Sequence, residues 1–155
     1  MSDIDISIYI DYPFKTLSNL HKNPFIYDGV ECAGMEGFLQ SLKFENEHMQ
    51  RKVCLLYGAR AKGKGAKVEW WQTQTLFWKG KQINRHSNEY QILINEAYYY
   101  MMISNENYQE ALLATEDNNI VHTLGNDNAK KTILTEREFC DRLLKMREAL
   151  KGGNI

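Results

Sequence analysis

The sequence predicts an α+β fold: one mainly α-helical domain with a small antiparallel sheet. Three observations carry that reading. Isoleucines at positions 4, 6, 8 and 10 alternate strictly along "IDISIYI", the period-two pattern of a strand with one buried face. Asp28-Gly29 stands between two short β-prone runs, where a type I′ hairpin turn needs positive φ. Most of the remaining chain shows apolar residues at helical spacing behind capping signals, with no repeat, low-complexity tract or linker to divide it.

Taken in order, the Ile4–Ile10 strand is followed by the Asp28-Gly29 hairpin, and Gly34 breaks the chain before a helix beginning at "MEGFLQSLKF". A second helix covers Glu47 to Tyr57, with Val53, Leu56 and Tyr57 inward. "GARAKGKGAK" (Gly58 to Lys67) reads as a flexible basic loop, because three glycines among lysines disfavour regular structure. Ser87 caps a helix whose apolar stripe is Tyr90, Leu93, Ile94, Ala97 and Met101. Ser104 caps a shorter helix ending near Thr115, and "IVHTL" (Ile120 to Leu124) is a short strand or extended segment. Thr135 and Glu138 form a T-x-x-E capping box ahead of a last helix carrying Phe139, Leu143, Met146 and Leu150. The domain spans residues 1–150, and 151–155 form a frayed, disordered tail.

A chain of 155 residues is the usual size of one domain and buries roughly 70% of its unfolded surface without staples. The net charge of −1 argues against a protein that lives on the DNA backbone, which needs surplus basic charge, and leaves room for a local basic pocket. Cys32, Cys54 and Cys140 are odd in number and widely spaced, as expected of free thiols in a reducing cytoplasm. The acidic start lacks a signal-peptide n-region, and no apolar run approaches the length of a membrane span. These features predict a cytoplasmic protein with no membrane partner.

Several motifs are incomplete. "GARAKGKG" satisfies G-x-x-x-x-G-K, but Gly65 stands where a P-loop has its magnesium-binding Ser or Thr. The same basic stretch can grip a phosphate through Arg60, Lys62, Lys64 and Lys67, or simply face water. No metal is expected, since His21, His48, His86 and His122 lack ligand spacing, and no G-x-S-x-G elbow offers a serine nucleophile. "WWQTQTLFWKGKQINRHS" interleaves Trp70, Trp71, Phe77 and Trp78 with Lys79, Lys81 and Arg85. Such a mixture either closes the core or stacks a flat base beside its phosphates, with Trp78 the best candidate for a ligand wall.

Glu36, Gln40 and Lys43 fall within roughly 60° of arc on a helix, bordering the apolar Met35, Phe38, Leu39 and Leu42. Glu47 extends the column and could pair with Lys43. Spacing alone fits either a surface ion-pair row or a set of groups aimed into a cleft.

Asp28-Gly29 followed by Glu36-x-x-x-Gln40-x-x-Lys43 resembles the E-x-x-x-Q-x-x-K helix of the NADAR (YbiA-like) family. "LSNL" (Leu17 to Leu20), Gly58 with Arg60, "LLAT" (Leu112 to Thr115), "HTLGND" (His122 to Asp127) and "LLKMREAL" are similar to further segments of that family, in order, over almost the whole chain. "FWKGKQINRHSNEY" looks like its longer version, with an insertion before the fourth helix. Members of the family are N-glycosidases acting on phosphoribosyl intermediates of riboflavin synthesis or on ADP-ribosylated guanine. The resemblance implies hydrolysis of a bond between a base nitrogen and a phosphorylated ribose. It implies Lys43 as a Schiff-base nucleophile, Glu36 as general acid/base and Asp127 as a second carboxylate. Asn19, Gln40, Arg60, Lys62, Trp78, Lys79, Arg85 and His122 are the expected ligand-binding residues. No cofactor is implied. The expected partner is a small nucleotide or an ADP-ribosylated substrate, nucleic acid entering only as a modified substrate. The chain departs from the family at Met35, where Ser or Thr is common, at Gly37, where a polar residue is usual, and at "NAKKTILT" (Asn128 to Thr135), which replaces a glycine-rich segment. Those departures raise the alternative of a protein that sequesters such a nucleotide without cleaving it.

Overall fold

A computed structural model describes residues 2–153. Six α-helices enclose one hydrophobic core, and three separate two-stranded sheets are set around them.

The first strand, β1 (Asp3–Asp5), is much shorter than the isoleucine alternation predicts. Its partner β6 (Asn119–Val121) is also only three residues long, and the ladder ends where Ile6 N donates to Val121 O. The pair is parallel, with Ile4 opposite Ile120, and stands beside the antiparallel pairing that the sequence predicts. Ile4 and Ile6 enter the core, and the chain then turns at Ser7, whose hydroxyl accepts from Tyr9 N. The two antiparallel sheets are hairpins. One joins β2 (Phe25–Tyr27) to β3 (Val30–Cys32), with Asp28 at φ 50° and Gly29 at φ 76°, as the Asp-Gly signal requires. The other joins β4 (Thr75–Trp78) to β5 (Lys81–Asn84) through Lys79 and Gly80, both also at positive φ. It occupies the segment read as an insertion.

Helix α1 (Met35–Ser41) lies almost wholly inside. Gly34 opens it because a Cβ there would meet His21 O at 2.9 Å. Helix α2 (Glu47–Cys54) starts at an Asn46 cap and stops short of Tyr57. Helix α3 (Gly58–Ala66) is the clearest departure from expectation, since the glycine-rich basic stretch is helical. Its small residues are the reason: Ala61 and Gly65 are buried against α1, and tertiary contact overrides weak local propensity.

Helix α4 (Asn88–Ile103) begins at the Ser87 cap and buries the predicted stripe. Ser104 closes that helix by donating to Tyr100 O and does not start the next, so α5 (Glu106–Ala114) follows Asn105. Helix α6 (Glu136–Gly152) has the full Thr135–Glu138 capping box and ends at Gly153 in the left-handed region. Helix thus continues into the expected tail, whose residues 154–155 lie outside the described residues.

Gln50 ties these parts together. Its amide nitrogen donates to Ser41 O at 3.1 Å, Phe44 O at 3.3 Å and Phe77 O at 2.9 Å, while its oxygen accepts from Lys79 N. No helix among the described residues is long and apolar enough to cross a membrane.

Candidate functional site

A cleft of about 600 Å³ opens between α1, α3, the turn after β1 and the loops flanking β6. Glu36 and Gln40 line it from α1, Lys62 from α3, and Ser18 and Asn19 from the segment that precedes the β2–β3 hairpin. Helix α1 carries Glu36 and Gln40, two members of the expected polar column, into this cleft because its other faces are packed. A Cβ on Gly37 would sit 2.1 Å from Leu56 O, so α1 lies hard against the end of α2. Gly65 leaves room for Gln40, whose Oε1 would meet a Cβ there at 1.7 Å.

Glu36 is half-buried, and loss of hydration raises its pKa above the ordinary glutamate value, against the opposing pull of Lys62, the Gln40 amide and Lys43. Its backbone N–H donates to Asn19 O at 3.2 Å, which fixes the two residues together. Asn19 Oδ1 accepts from Tyr98 Oη at 2.8 Å, leaving its Nδ2 donor to the cleft. Gln40 is 7% exposed, and its Oε1 has no hydrogen-bond partner among the described residues. An unsatisfied acceptor at such a depth is a place where a ligand donor gains most.

Lys43 lies just beyond α1 and does not line the cleft. Its Nζ donates to Gly65 O at 3.2 Å, and burial lowers its pKa, opposed by the charge of Glu36. The expected pairing with Glu47 is absent among the described residues, because α1 ends at Ser41 and Glu47 begins another helix. His122 lines the opposite wall. Its Nδ1 bonds Ile6 O at 2.7 Å and its ring packs on Phe139 at 5.0 Å between centroids.

Other expected residues lie elsewhere. Asp127 is exposed and accepts from Arg137 N at the start of α6, outside the lining, while the neighbouring Asn126 lines the cleft. Arg60 is exposed on α3 and also lies outside it. Trp78 is not a ligand wall. It is 8% exposed, packs on Phe38 and Tyr27, and donates from Nε1 to Asp28 Oδ2 at 2.9 Å. Lys79 pairs with the same aspartate at 3.4 Å and joins the two hairpins. Trp70 and Trp78, the large buried rings of this stretch, are core, which is where their area is best used.

Arg85 is likewise structural. It is 1% exposed, meets Glu138 with both terminal nitrogens, and donates from Nε to Thr132 O at 3.0 Å. Burial alone would raise the Glu138 carboxyl, but Arg85, Gln91 and the Thr135 backbone outweigh it and hold the pKa below its usual value. Tyr90 donates to Ile133 O, and Gln74 donates to Lys130 O at 2.8 Å. Three anchors from the β4–β5 hairpin and its flanks therefore hold the loop over residues 130–133, which forms one wall of the cleft.

That loop brings in Lys131, a residue that no sequence motif marks, together with Thr132. A cation placed ahead of a helix N-terminus gains nothing from the helix dipole, and that mismatch is the available signal that Lys131 serves another purpose. Among the lining residues Glu36 is the one carboxyl, in a lining that also holds Lys62 and Lys131. The arrangement suits an anionic ligand, with a single carboxyl whose pKa burial raises. Among the described residues, no three His, Cys, Asp or Glu side chains gather to hold a metal.

The model of the family described as bacteriophage protein GP30.3 matches residues 11–148. The chain is similar to an uncharacterized 17.1 kDa protein of the Gp30-rIII intergenic region of Enterobacteria phage T4, with 36% identity over 152 residues, 97% of this chain and 100% of the relative. Its fold is that of the E. coli protein YbiA. The NMR structure of YbiA aligns with a TM-score of 0.66 at 16% identity, covering 99% of this chain and 87% of the other.

Proposed function

The chain belongs to the bacteriophage protein GP30.3 family, and from that premise and the chemistry of the cleft we propose that it is an N-glycosidase, with a substrate that joins a base-type nitrogen to a phosphorylated ribose. The single observation that carries this reading is Glu36: a carboxyl with a raised pKa in the wall of the cleft, flanked by the unsatisfied Gln40 oxygen. The YbiA-like fold and the NADAR-like helix motif suggest the bond class.

In this reading Lys62 and Lys131 hold the phosphate, while Gln40 Oε1 and Asn19 Nδ2 hold sugar hydroxyls. Glu36 donates its proton to the departing nitrogen as the C1′–N bond breaks, then as carboxylate takes a proton from the entering water. The Lys43 route that the resemblance implies needs the amine to reach a cleft that it does not line. The neutral amine attacks C1′, the base leaves with the Glu36 proton, the ring opens to a Schiff base, and water then restores the amine and frees ribose phosphate. That route requires Nζ to leave the Gly65 carbonyl, and the lowered pKa favours the neutral amine it needs.

The sequestering alternative draws on Met35 and Gly37. Met35 is a core residue and Gly37 faces the end of α2, so neither changes the cleft. Incubation with ADP-ribosyl and phosphoribosyl compounds, followed by mass spectrometry, tests the proposal. Free base plus ribose phosphate is the expected result, and recovery of only intact compound after denaturation contradicts it. Borohydride added during turnover should leave the ribose phosphate mass on Lys43 if the Schiff-base route operates, and no adduct if water attacks directly.

A further inference from the structure

We propose that Tyr9 and Leu124 form the two lips of a subsite for a planar base, so that the cleft takes a whole nucleotide and not a sugar phosphate alone. At 84% and 68% exposure they are the most exposed large hydrophobic side chains among the described residues, and both line the mouth of the same cleft. An aromatic side chain this open gains little from burial in the free protein, and its ring faces are available to a flat partner. The deeper apolar residues, Leu39, Ile133 and Phe139, are already closed into the core.

The lips are built from the carboxyl ends of the parallel β1–β6 pair and are held in place before any ligand arrives. Ser7 Oγ accepts from Tyr9 N at 3.1 Å, and Ile10 N donates to Ser7 O. Beside it, His122 Nδ1 bonds Ile6 O, Asp5 accepts from both the Thr123 backbone and hydroxyl, and Gly125 N donates to His122 O. These bonds tie residues 5–9 to residues 122–125. At the floor, the unpartnered Gln40 oxygen and Glu36 receive the sugar. Stacking on an aromatic face is tolerant of base identity, so the subsite selects a planar ring and leaves the choice of base to other contacts. The inference rests on the cleft being the ligand site, as proposed above.

Isothermal titration with adenosine 5′-monophosphate and with ribose 5-phosphate tests it on the full chain, wild type and Tyr9→Ala, Tyr9→Phe and Leu124→Ala variants. Because both side chains are solvent-exposed, these variants keep the fold. The nucleotide should bind wild type at least about tenfold more tightly than the sugar phosphate, and Tyr9→Ala should erase that difference while leaving ribose 5-phosphate binding unchanged. Tyr9→Phe should retain it, and Leu124→Ala should lose part of it. Equal affinity of the two probes for wild type, or an equal effect of Tyr9→Ala on both, overturns the base subsite alone. Absence of binding by both probes overturns the base subsite and the proposed ligand site together.

Discussion

Glu36 shows how one residue records both stability and chemistry. Its raised pKa means that the native state holds a proton the unfolded chain has released. Its contribution to stability is therefore fully present below the unfolded value near ~4.3 and is lost as pH rises through the native value. Glu36→Gln should stabilise the fold at neutral pH, and the gain should vanish as pH falls below about 4. Thermal unfolding of both proteins across pH 3–8 checks this, and a constant difference would remove the claim that burial raises the Glu36 pKa. The spacing of Glu36, Gln40 and Lys43 makes them legible as a column, but not its orientation. Spacing places residues on one face of a helix, and only the packing of Gly37 and Gly65 decides what that face meets. Trp78 and Arg85 are illegible for a related reason: aromatics beside cations look the same in sequence whether they wrap a ligand or the core.

Among the elements, α3 departs furthest from its local propensities. Glycine lowers helix propensity by about 1 kcal/mol relative to alanine, so "GARAKGKGA" reads as unstructured. Gly65 is there for close approach to α1, whereas a Cβ on Gly63 would meet nothing within 4 Å. The two glycines should therefore respond oppositely to alanine. Gly63→Ala should stabilise by about 0.5–1 kcal/mol, and Gly65→Ala should destabilise by roughly 1–3 kcal/mol while displacing Gln40. Denaturant midpoints of the two variants settle the matter, and equal shifts would contradict the packing argument. Elements with strong local chemistry are legible: the Asp28-Gly29 turn, the Ser87 cap and the Thr135–Glu138 capping box all form as expected. The Lys79-Gly80 turn is not, because lysine is an uncommon first residue of a type I′ turn.

Across the whole molecule, the β4–β5 hairpin and α4 act at a distance on the cleft. Arg85 and Glu138 form a nearly dry pair, and Arg85 also grips the Thr132 carbonyl. Arg85→Leu leaves the Glu138 carboxyl without its cation and should cost about 3–5 kcal/mol. It should also free the 130–133 loop, so ligand affinity should fall with the melting temperature; a stable variant with intact affinity would contradict the anchoring role. The order of elements is readable along the chain, but the convergence of residues 7–9, 18–19, 36–40, 62 and 122–134 on one cleft is not, since it depends on contacts far apart in sequence. Whether the Glu36 proton breaks a ribose–nitrogen bond is the central question. Base release in a single turnover, measured for wild type and Glu36→Gln beside their affinities for ribose 5-phosphate, tests that most directly. The predicted result is a fall in rate of about 10²–10⁴-fold with affinity nearly unchanged; equal rates, or no base release from the wild type, would contradict it.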